Sequence, residues 1–77
     1  VKEFRMDHEK IFAQRVYELR KKRNMNQKEL GEVVGLTAKS ISTIESGLRS
    51  TTIEKLILLA QFFGVSTDYL LGLKDEP

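Results

Sequence analysis

The 77-residue sequence contains no cysteine, no tryptophan and a single proline. Without cysteine the chain forms no disulfide framework and no cysteine zinc site, and it offers no thiol nucleophile. The longest uninterrupted apolar stretch, Leu56 to Ala60, is far below the roughly 20 residues that a membrane span needs. Stability must come from packing of the 40% of residues that are hydrophobic, which suits one small domain. We expect a cytoplasmic chain with no membrane partner.

Residues with catalytic chemistry are scarce as well. His8 is the one histidine in the sequence, and it has no partner at the spacing of a metal site or a catalytic pair. The sequence shows no phosphate-binding loop, no metal-ligand cluster and no nucleophile with a base at a useful spacing. These absences argue against an enzyme. We therefore expect no metal, no cofactor and no small-molecule ligand.

Charge is distributed unevenly along the chain, although the net charge is only +2. Residues 1–23 carry eight basic and four acidic side chains, residues 24–50 carry three of each, and residues 51–77 carry two basic and four acidic ones. Local potential, more than total charge, steers association with a polyanion. The basic amino-terminal third is compatible with a nucleic-acid partner and equally with a solvated helix face.

Apolar spacing and helix-capping residues predict four or five helices and no strand. The first predicted helix covers about residues 9–23 and places Phe12, Val16 and Leu19 on one face. The basic run Arg20 to Arg23 ends this helix, where cations complement the helix dipole. The predicted fold class is all-α, a compact domain of four or five helices.

Capping residues place the starts of the later helices. Asn26 and Glu29 are spaced as a capping box and open a second helix that runs through Val34. Thr37 opens a third helix over about residues 38–46. Thr51, in a capping box with Glu54, opens a fourth helix that runs to about residue 63. Ser66 opens a short fifth helix that runs to about residue 71. The fourth helix is apolar on two faces, because Leu58 and Phe62 lie nearly opposite its other apolar side chains.

Residues 26–46 meet the requirements of two short helices that cross closely at a tight turn. Gly31 is a very small residue at the expected crossing, and Gly35 suits a turn position with positive φ. Apolar anchors occur at matching positions, namely Leu30, Val34, Leu36, Ile41 and Ile44. The outward face of the second of these helices is polar. This arrangement allows one helix to enter the major groove of DNA.

The segment NQKELGEVVGLTAKSISTIESG resembles the helix-turn-helix of the Cro and phage-repressor type (XRE-like) transcriptional regulators. FAQRVYELRKKRNM before it and TTIEKLILLAQFFGVSTDYLLG after it resemble the first helix and the last two helices of that family. The sequence departs from the family at Thr51, where proline is frequent. The resemblance implies a helix-turn-helix DNA-binding domain over residues 10–72, flanked by an N-terminal extension over residues 1–9 and a C-terminal tail over residues 73–77.

The resemblance also implies which residues contact double-stranded DNA. Gln27 matches the family glutamine that bonds a phosphate, and exposed amides at a helix start suit an anion. Lys39 has the donors to bind guanine or, alternatively, phosphate alone, and the methyl group of Ala38 suits thymine. Ser46 and Arg49 match backbone clamps. The predicted DNA-binding residues are Gln27, Thr37, Ala38, Lys39, Ser42, Thr43, Ser46 and Arg49.

Two more sets of residues follow from the resemblance. Arg20 and Glu45 match a family pair that holds the recognition helix through a charge-assisted bond, and we interpret the pair as structural. Family members usually act as homodimers whose C-terminal helices touch, so the second apolar face is covered either by the fifth helix or by another subunit. We predict a homodimer whose interface contains Leu58, Phe62, Tyr69, Leu70, Leu71 and Leu73.

The function implied is sequence-specific regulation of transcription in a prokaryote or phage, most often repression through a palindromic operator bound by a homodimer. An alternative from another class is a protein-interaction module of the same fold, for example an antitoxin that masks a partner protein. In that case the apolar C-terminal third and the acidic tail form the functional surface. Tolerance to mutation in residues 37–49 or in residues 58–73 distinguishes the two hypotheses.

Overall fold

The computed structural model describes residues 7–77, which form five helices. The bounds are α1 (His8–Lys22), α2 (Gln27–Val34), α3 (Ala38–Glu45), α4 (Ile53–Phe63) and α5 (Thr67–Leu71). Residues 7–77 contain no strand, and the predicted all-α fold class is confirmed. No helix in this range combines the length and the apolar character needed to cross a membrane.

Side-chain caps start three of the helices at the predicted residues. The Asn26 side chain accepts from the amide of Glu29 at 2.7 Å, and the Glu29 carboxylate accepts from the amide of Asn26 at 2.8 Å. Thr37 and Ser66 each accept from the amide three residues later, both at 3.0 Å. These caps satisfy amides that have no acceptor within their own helix. The predicted starts of α2, α3 and α5 are therefore confirmed.

The start of α4 differs from the prediction by one residue. The cap is Thr52, whose hydroxyl accepts from the amide of Lys55 at 3.2 Å, and the predicted cap Thr51 lies outside the helix. Two adjacent threonines carry the same capping chemistry. The sequence alone does not distinguish them, because the choice depends on where the preceding loop meets the core.

The start of α1 also differs from the prediction. The helix begins at His8, one residue before the start predicted from the apolar pattern and within the N-terminal extension over residues 1–9 that the family resemblance implies. Residues 1–6 of that predicted extension lie outside the described residues. The difference arises because a helix start without a side-chain cap is hard to locate from sequence. The Asp7 side chain makes no capping hydrogen bond here.

All five helices contribute to one hydrophobic core. α1 packs on α3 and α5, α2 packs on α3, and α4 contacts both α2 and α5. The largest fully buried side chains are Phe12, Val16, Leu30, Ile41, Leu59 and Leu70. Burial of these apolar surfaces is the main favourable term that opposes the loss of chain entropy on folding.

The second apolar face of α4 is partly buried within the chain. Leu58 and Phe62 are half-buried against the core, and α4 packs on α2 and α5. Ile53 is 76% exposed and Ile57 is 43% exposed. One side of α4 therefore remains apolar and open to solvent near the start of the helix.

The predicted C-terminal tail is tied to the rest of the domain. The Arg15 guanidinium donates to the carbonyl oxygens of Tyr69 and Lys74, the latter at 2.7 Å, and it lies 4.2 Å from the centre of the Tyr69 ring. The amide of Ser66 donates to the carbonyl oxygen of Pro77 at 3.0 Å. These contacts hold residues 73–77 along α5 and against α1.

Candidate nucleic-acid interface

The crossing of α2 and α3 depends on the small size of Gly31. A Cβ atom at this position would overlap the carbonyl oxygen of Leu36 and lie 3.2 Å from the carbonyl carbon of Thr37. Gly35 follows with φ of 77°, a left-handed conformation that L side chains rarely adopt. The amide of Leu36 then donates to the carbonyl oxygen of Gly31 at 2.7 Å, which closes the turn. This geometry fixes the direction in which α3 leaves α2.

Buried anchors hold α3 with its polar face outward. Ile41 and Ile44 are buried in the core, while Lys39 and Ser42 on the other side are exposed. Lys39 forms no ion pair with any residue between 7 and 77. Within residues 7–77, the outer face of α3 therefore presents to solvent an ammonium group without an ion-pair partner and a hydroxyl group. Both are donors of the kind that read base edges in the major groove.

The hydroxyl groups around α3 differ in their availability. Thr43 donates to the carbonyl oxygen of Lys39 at 2.9 Å, and Ser46 donates to that of Thr43 at 2.8 Å. Thr37 donates to the hydroxyl of Ser40 at 3.0 Å. Ser42 has no hydrogen-bond partner in the part of the chain that the structure describes. Among the predicted hydroxyl contacts, Ser42 is the free donor, and the other three hydroxyls are engaged within the protein.

Several predicted DNA-binding residues line one open groove of about 510 Å³ between α3 and the loop before α4. The predicted residues in its walls are Thr37, Lys39, Thr43 and Arg49. The groove also contains hydroxyl groups that were not predicted from the sequence, from Ser40, Ser50, Thr51 and Thr52. A run of polar residues in the loop that follows α3 was the available signal for Ser50 and Thr51. Two cationic and several hydroxyl side chains make the groove suitable for an anionic strand.

The remaining predicted contacts lie outside this groove. Ser46 lines a separate groove with Lys10 and Tyr17, at the junction of α1 and the end of α3. Ala38 is half-buried at the first position of α3. Gln27 is the first residue of α2 and is also half-buried. The structure thus gathers part of the predicted set around α3 and places Gln27 at the start of the neighbouring helix.

Arg20 and Glu45 form a buried ion pair between α1 and the end of α3. Arg20 Nε donates to Glu45 Oε2 at 2.7 Å, and Arg20 Nη2 donates to Glu45 Oε1 at 2.9 Å. The two side chains are 8% and 5% exposed. Arg20 Nη1 also donates to the carbonyl oxygen of Met25 at 2.7 Å, so one guanidinium connects α1, the following loop and α3.

The Glu45 carboxylate also holds Gln27. Gln27 Nε2 donates to Glu45 Oε1 at 3.2 Å. The hydrogen bond to Glu45 raises the pKa of the Arg20 guanidinium above its ordinary value, against the opposing effect of burial. The hydrogen bond and the opposite charge of Glu45 thus favour the protonated form that arginine already has in proteins. Arg20, Glu45 and Gln27 together form one polar cluster that links α1, α2 and α3, and we call it the Glu45 cluster.

Two other basic residues near the end of α1 lie over aromatic rings. The Arg23 guanidinium lies 4.6 Å from the centre of the Phe62 ring and 5.5 Å from that of Phe63. Lys21 lies 5.9 Å from the centre of the Tyr17 ring. Arg23 therefore covers part of the apolar surface of α4, a contact that the linear sequence does not show.

The predicted dimer interface is wrong for one residue. Leu70 is fully buried by its own chain and is a core residue, so it has no surface to offer another subunit. Tyr69 lies beneath Arg15 and Phe62 beneath Arg23, and both are half-buried, as are Leu58 and Leu71. Leu73 is the most exposed of the set, at 60%. The misplacement of Leu70 arises because a five-residue helix gives too few turns for its buried side to be recognised from spacing.

Comparison with known protein families identifies the class of the domain. The model of the helix-turn-helix family matches residues 16–70, from the middle of α1 almost to the end of α5. The match covers more than half of the chain, and the chain therefore belongs to the helix-turn-helix family. The resemblance to Cro and phage-repressor type regulators is confirmed.

Individual relatives and a solved structure agree with this class. The chain is 36% identical over 74 residues to the control protein C.SmaI of Serratia marcescens, covering 92% of this chain and 88% of that protein. It is 34% identical over 67 residues to the uncharacterized HTH-type transcriptional regulator YobD of Bacillus subtilis, covering 87% of this chain but 60% of YobD. The P22 c2 repressor protein, crystallised with synthetic operator 9T, superposes with a TM-score of 0.75 at 33% identity, covering 78% of this chain and 91% of the repressor chain.

Proposed function

We propose that this protein is a sequence-specific DNA-binding regulator of transcription that represses by occupying a palindromic operator as a homodimer. The observation that carries the proposal is the outward face of α3, where Lys39 and Ser42 are exposed and without partners among the described residues, above the buried anchors Ile41 and Ile44. Repression by occupancy requires no catalytic group. A regulator of this kind acts where the DNA lies, in the cytoplasm of a prokaryotic cell.

The names of the relatives and the operator complex of one of them support this hypothesis. C.SmaI is named a control protein, YobD is named a transcriptional regulator, and the P22 c2 repressor is seen bound to a synthetic operator. The superposition with the P22 c2 repressor covers most of both chains. We infer that α3 of this chain enters the major groove in the same manner as a recognition helix.

The proposed DNA contacts fall into two groups with different consequences. Gln27, Arg49 and the free amides of the first turn of α2 bind phosphates, which gives affinity that falls as salt rises. Lys39 and Ser42 on α3, with the methyl group of Ala38, contact base edges and supply sequence discrimination. Arg49 is exposed just after α3, in the groove that also contains Lys39.

Substitution of Lys39 and Gln27 separates the two groups. We expect Lys39→Ala to relax the preference at one base position of each half-site, with a loss of discrimination of about 1 to 3 kcal/mol. We expect Gln27→Ala to weaken binding to all sequences by a similar factor and to leave the preference unchanged. The measurement is binding of each variant to the preferred duplex and to its single-base derivatives at fixed salt.

Lys28→Ala is the matched control, because Lys28 is an exposed lysine on α2, away from the outer face of α3. It is expected to leave the base preference intact. A loss for Lys39→Ala that is equal on all duplexes would contradict the base-reading role of Lys39.

We propose that the homodimer forms through the exposed apolar side chains of α4 and the C-terminal segment. Ile53, Ile57 and Leu73 are the large apolar residues that remain exposed there, and Leu58 and Tyr69 are half-buried. A two-fold dimer of this domain presents two recognition helices about 34 Å apart, one turn of DNA.

Ile57→Glu tests the dimer. A carboxylate placed in an apolar interface is costly, so we expect self-association to weaken by about tenfold or more. Sedimentation velocity at micromolar concentration measures the shift from dimer to monomer. Val33→Glu is the control, since Val33 is 48% exposed on α2 and a new charge there should leave the dimer intact. A wild-type protein that sediments as a monomer both with and without DNA would contradict the dimer.

A further inference from the structure

We infer that Glu45 is a positioning residue for DNA binding, in addition to its structural pairing with Arg20. It orients the side-chain amide of Gln27 so that a donor, and not the amide oxygen, is presented to a DNA phosphate. This inference rests on the proposed function of the protein as a DNA-binding regulator.

The chemistry of the carboxylate determines which end of the Gln27 amide faces it. An ionised carboxylate only accepts hydrogen bonds, so it selects the NH₂ group of a neighbouring amide and repels its oxygen. In the structure Gln27 Nε2 donates to Glu45 Oε1 at 3.2 Å. One of the two hydrogens on Nε2 is used in this bond, and the other remains available. A freely rotating amide would instead present its oxygen to the phosphate for part of the time.

The position of Gln27 at the start of α2 and the burial of its bond to Glu45 make the amide orientation suitable for binding a phosphate. Gln27 is the first residue of α2, where the backbone amides of the first turn have no acceptor within the helix. The Asn26 side chain caps the amide of Glu29, and the amides of Gln27 and Lys28 have no acceptor among the described residues. These two amides and the helix dipole favour an anion at this place. The Gln27 side chain is half-buried and Glu45 is 5% exposed, so water competes weakly for the bond between them.

The pair with Arg20 makes a carboxylate tolerable close to a phosphate. Arg20 donates to both oxygens of Glu45, at 2.7 and 2.9 Å, and neutralises its charge locally. An unpaired carboxylate close to a phosphate would repel it. Glu45 Oε1 therefore accepts from Arg20 and from Gln27 together, and the end of α3 is coupled to the start of α2 through one atom.

A double-mutant cycle on DNA affinity distinguishes positioning from a purely structural role. Glu45→Asp keeps the charge but shortens the side chain by one methylene, which withdraws it from Gln27. With Gln27 present, we expect Glu45→Asp to weaken binding to the preferred duplex by about tenfold. In the Gln27→Ala background the same substitution should cost at least about fivefold less. Equal losses in the two backgrounds would overturn the inference.

The cycle is measured at a temperature where denaturation curves show that all four proteins are folded. If wild-type protein does not bind any duplex selectively, the proposed function fails and the inference fails with it. If wild type binds selectively and the two losses are equal, the inference alone fails. The two failures are therefore distinguishable.

A measurement on the unsubstituted protein covers the case in which Glu45→Asp does not fold. In the free protein, ¹⁵N relaxation of the Gln27 side-chain amide should show a restricted group, more ordered than that of Gln61, an exposed glutamine on α4. Equal mobility of the two amides would overturn the inference. Gln61 is a suitable reference because no side-chain hydrogen bond holds it within residues 7–77.

Discussion

Gly31→Ala is expected to destabilise the domain by about 2 to 3 kcal/mol. Alanine is the better helix former, so helix propensity alone predicts the opposite sign. The structure instead predicts a loss of stability, because the new methyl group would overlap the carbonyl oxygen of Leu36. Backbone atoms of the turn cannot move aside as a flexible side chain does. Thermal or urea denaturation of the purified protein measures the loss.

Gly64→Ala and Glu32→Ala are the controls for this experiment. Gly64 has φ of 69° but nothing within 4 Å of an added Cβ, so its substitution isolates the left-handed strain of about 1 to 2 kcal/mol. Glu32 is exposed on α2, and its substitution reports helix propensity. A Gly31→Ala protein that is as stable as wild type would show that α2 does not approach the turn as closely as described. DNA binding should also weaken in Gly31→Ala, since the turn sets the direction of α3.

Arg20→Ala is expected to cost about 3 to 5 kcal/mol of stability, which is a large share of what a domain of this size has. The substitution leaves the Glu45 carboxylate buried without its counter-charge, and it also removes the donor to the carbonyl oxygen of Met25. The free energy of unfolding from urea denaturation is the quantity to compare. The paired variant with Glu45→Ala as well should recover part of the loss, because no lone charge then remains.

Asp75→Asn is the matched control for a surface ion pair. Arg15 lies 3.5 Å from Asp75, whose side chain is fully exposed. Solvent screens such a pair, so we expect no measurable change in stability. If Arg20→Ala were as mild as Asp75→Asn, the Glu45 cluster would not be the connection between α1 and α3 that the structure describes.

The parts of this fold that are encoded locally could be predicted from the sequence. Asn26 with Glu29 and Thr37 are each within three residues of the amides they cap, so the starts of α2 and α3 follow from spacing. The roles of Gly31 and Gly35 could also be predicted, since a close helix crossing and a left-handed turn both favour glycine. The outward polar face of α3 follows from the same helical periodicity.

Contacts between distant residues could not be predicted from residue patterns. Arg20 and Glu45 are 25 residues apart, and only the family resemblance suggested that they meet. Nothing in the sequence indicated that Gln27 would share Glu45 with Arg20, or that Arg23 would cover Phe62. Each depends on how the helices pack, which spacing within one helix does not encode. The burial of Leu70 was missed for the same reason.

Selection of bound duplexes from a random pool tests whether α3 reads a DNA sequence. The protein is incubated with random duplexes at near-physiological salt, and the bound duplexes are amplified and sequenced over several rounds. We expect enrichment of two inverted half-sites whose centres are about one helical turn apart. Bound duplexes with no common sequence, and an affinity that falls steeply as salt rises, would contradict sequence recognition by α3, because phosphate attraction alone would then explain binding.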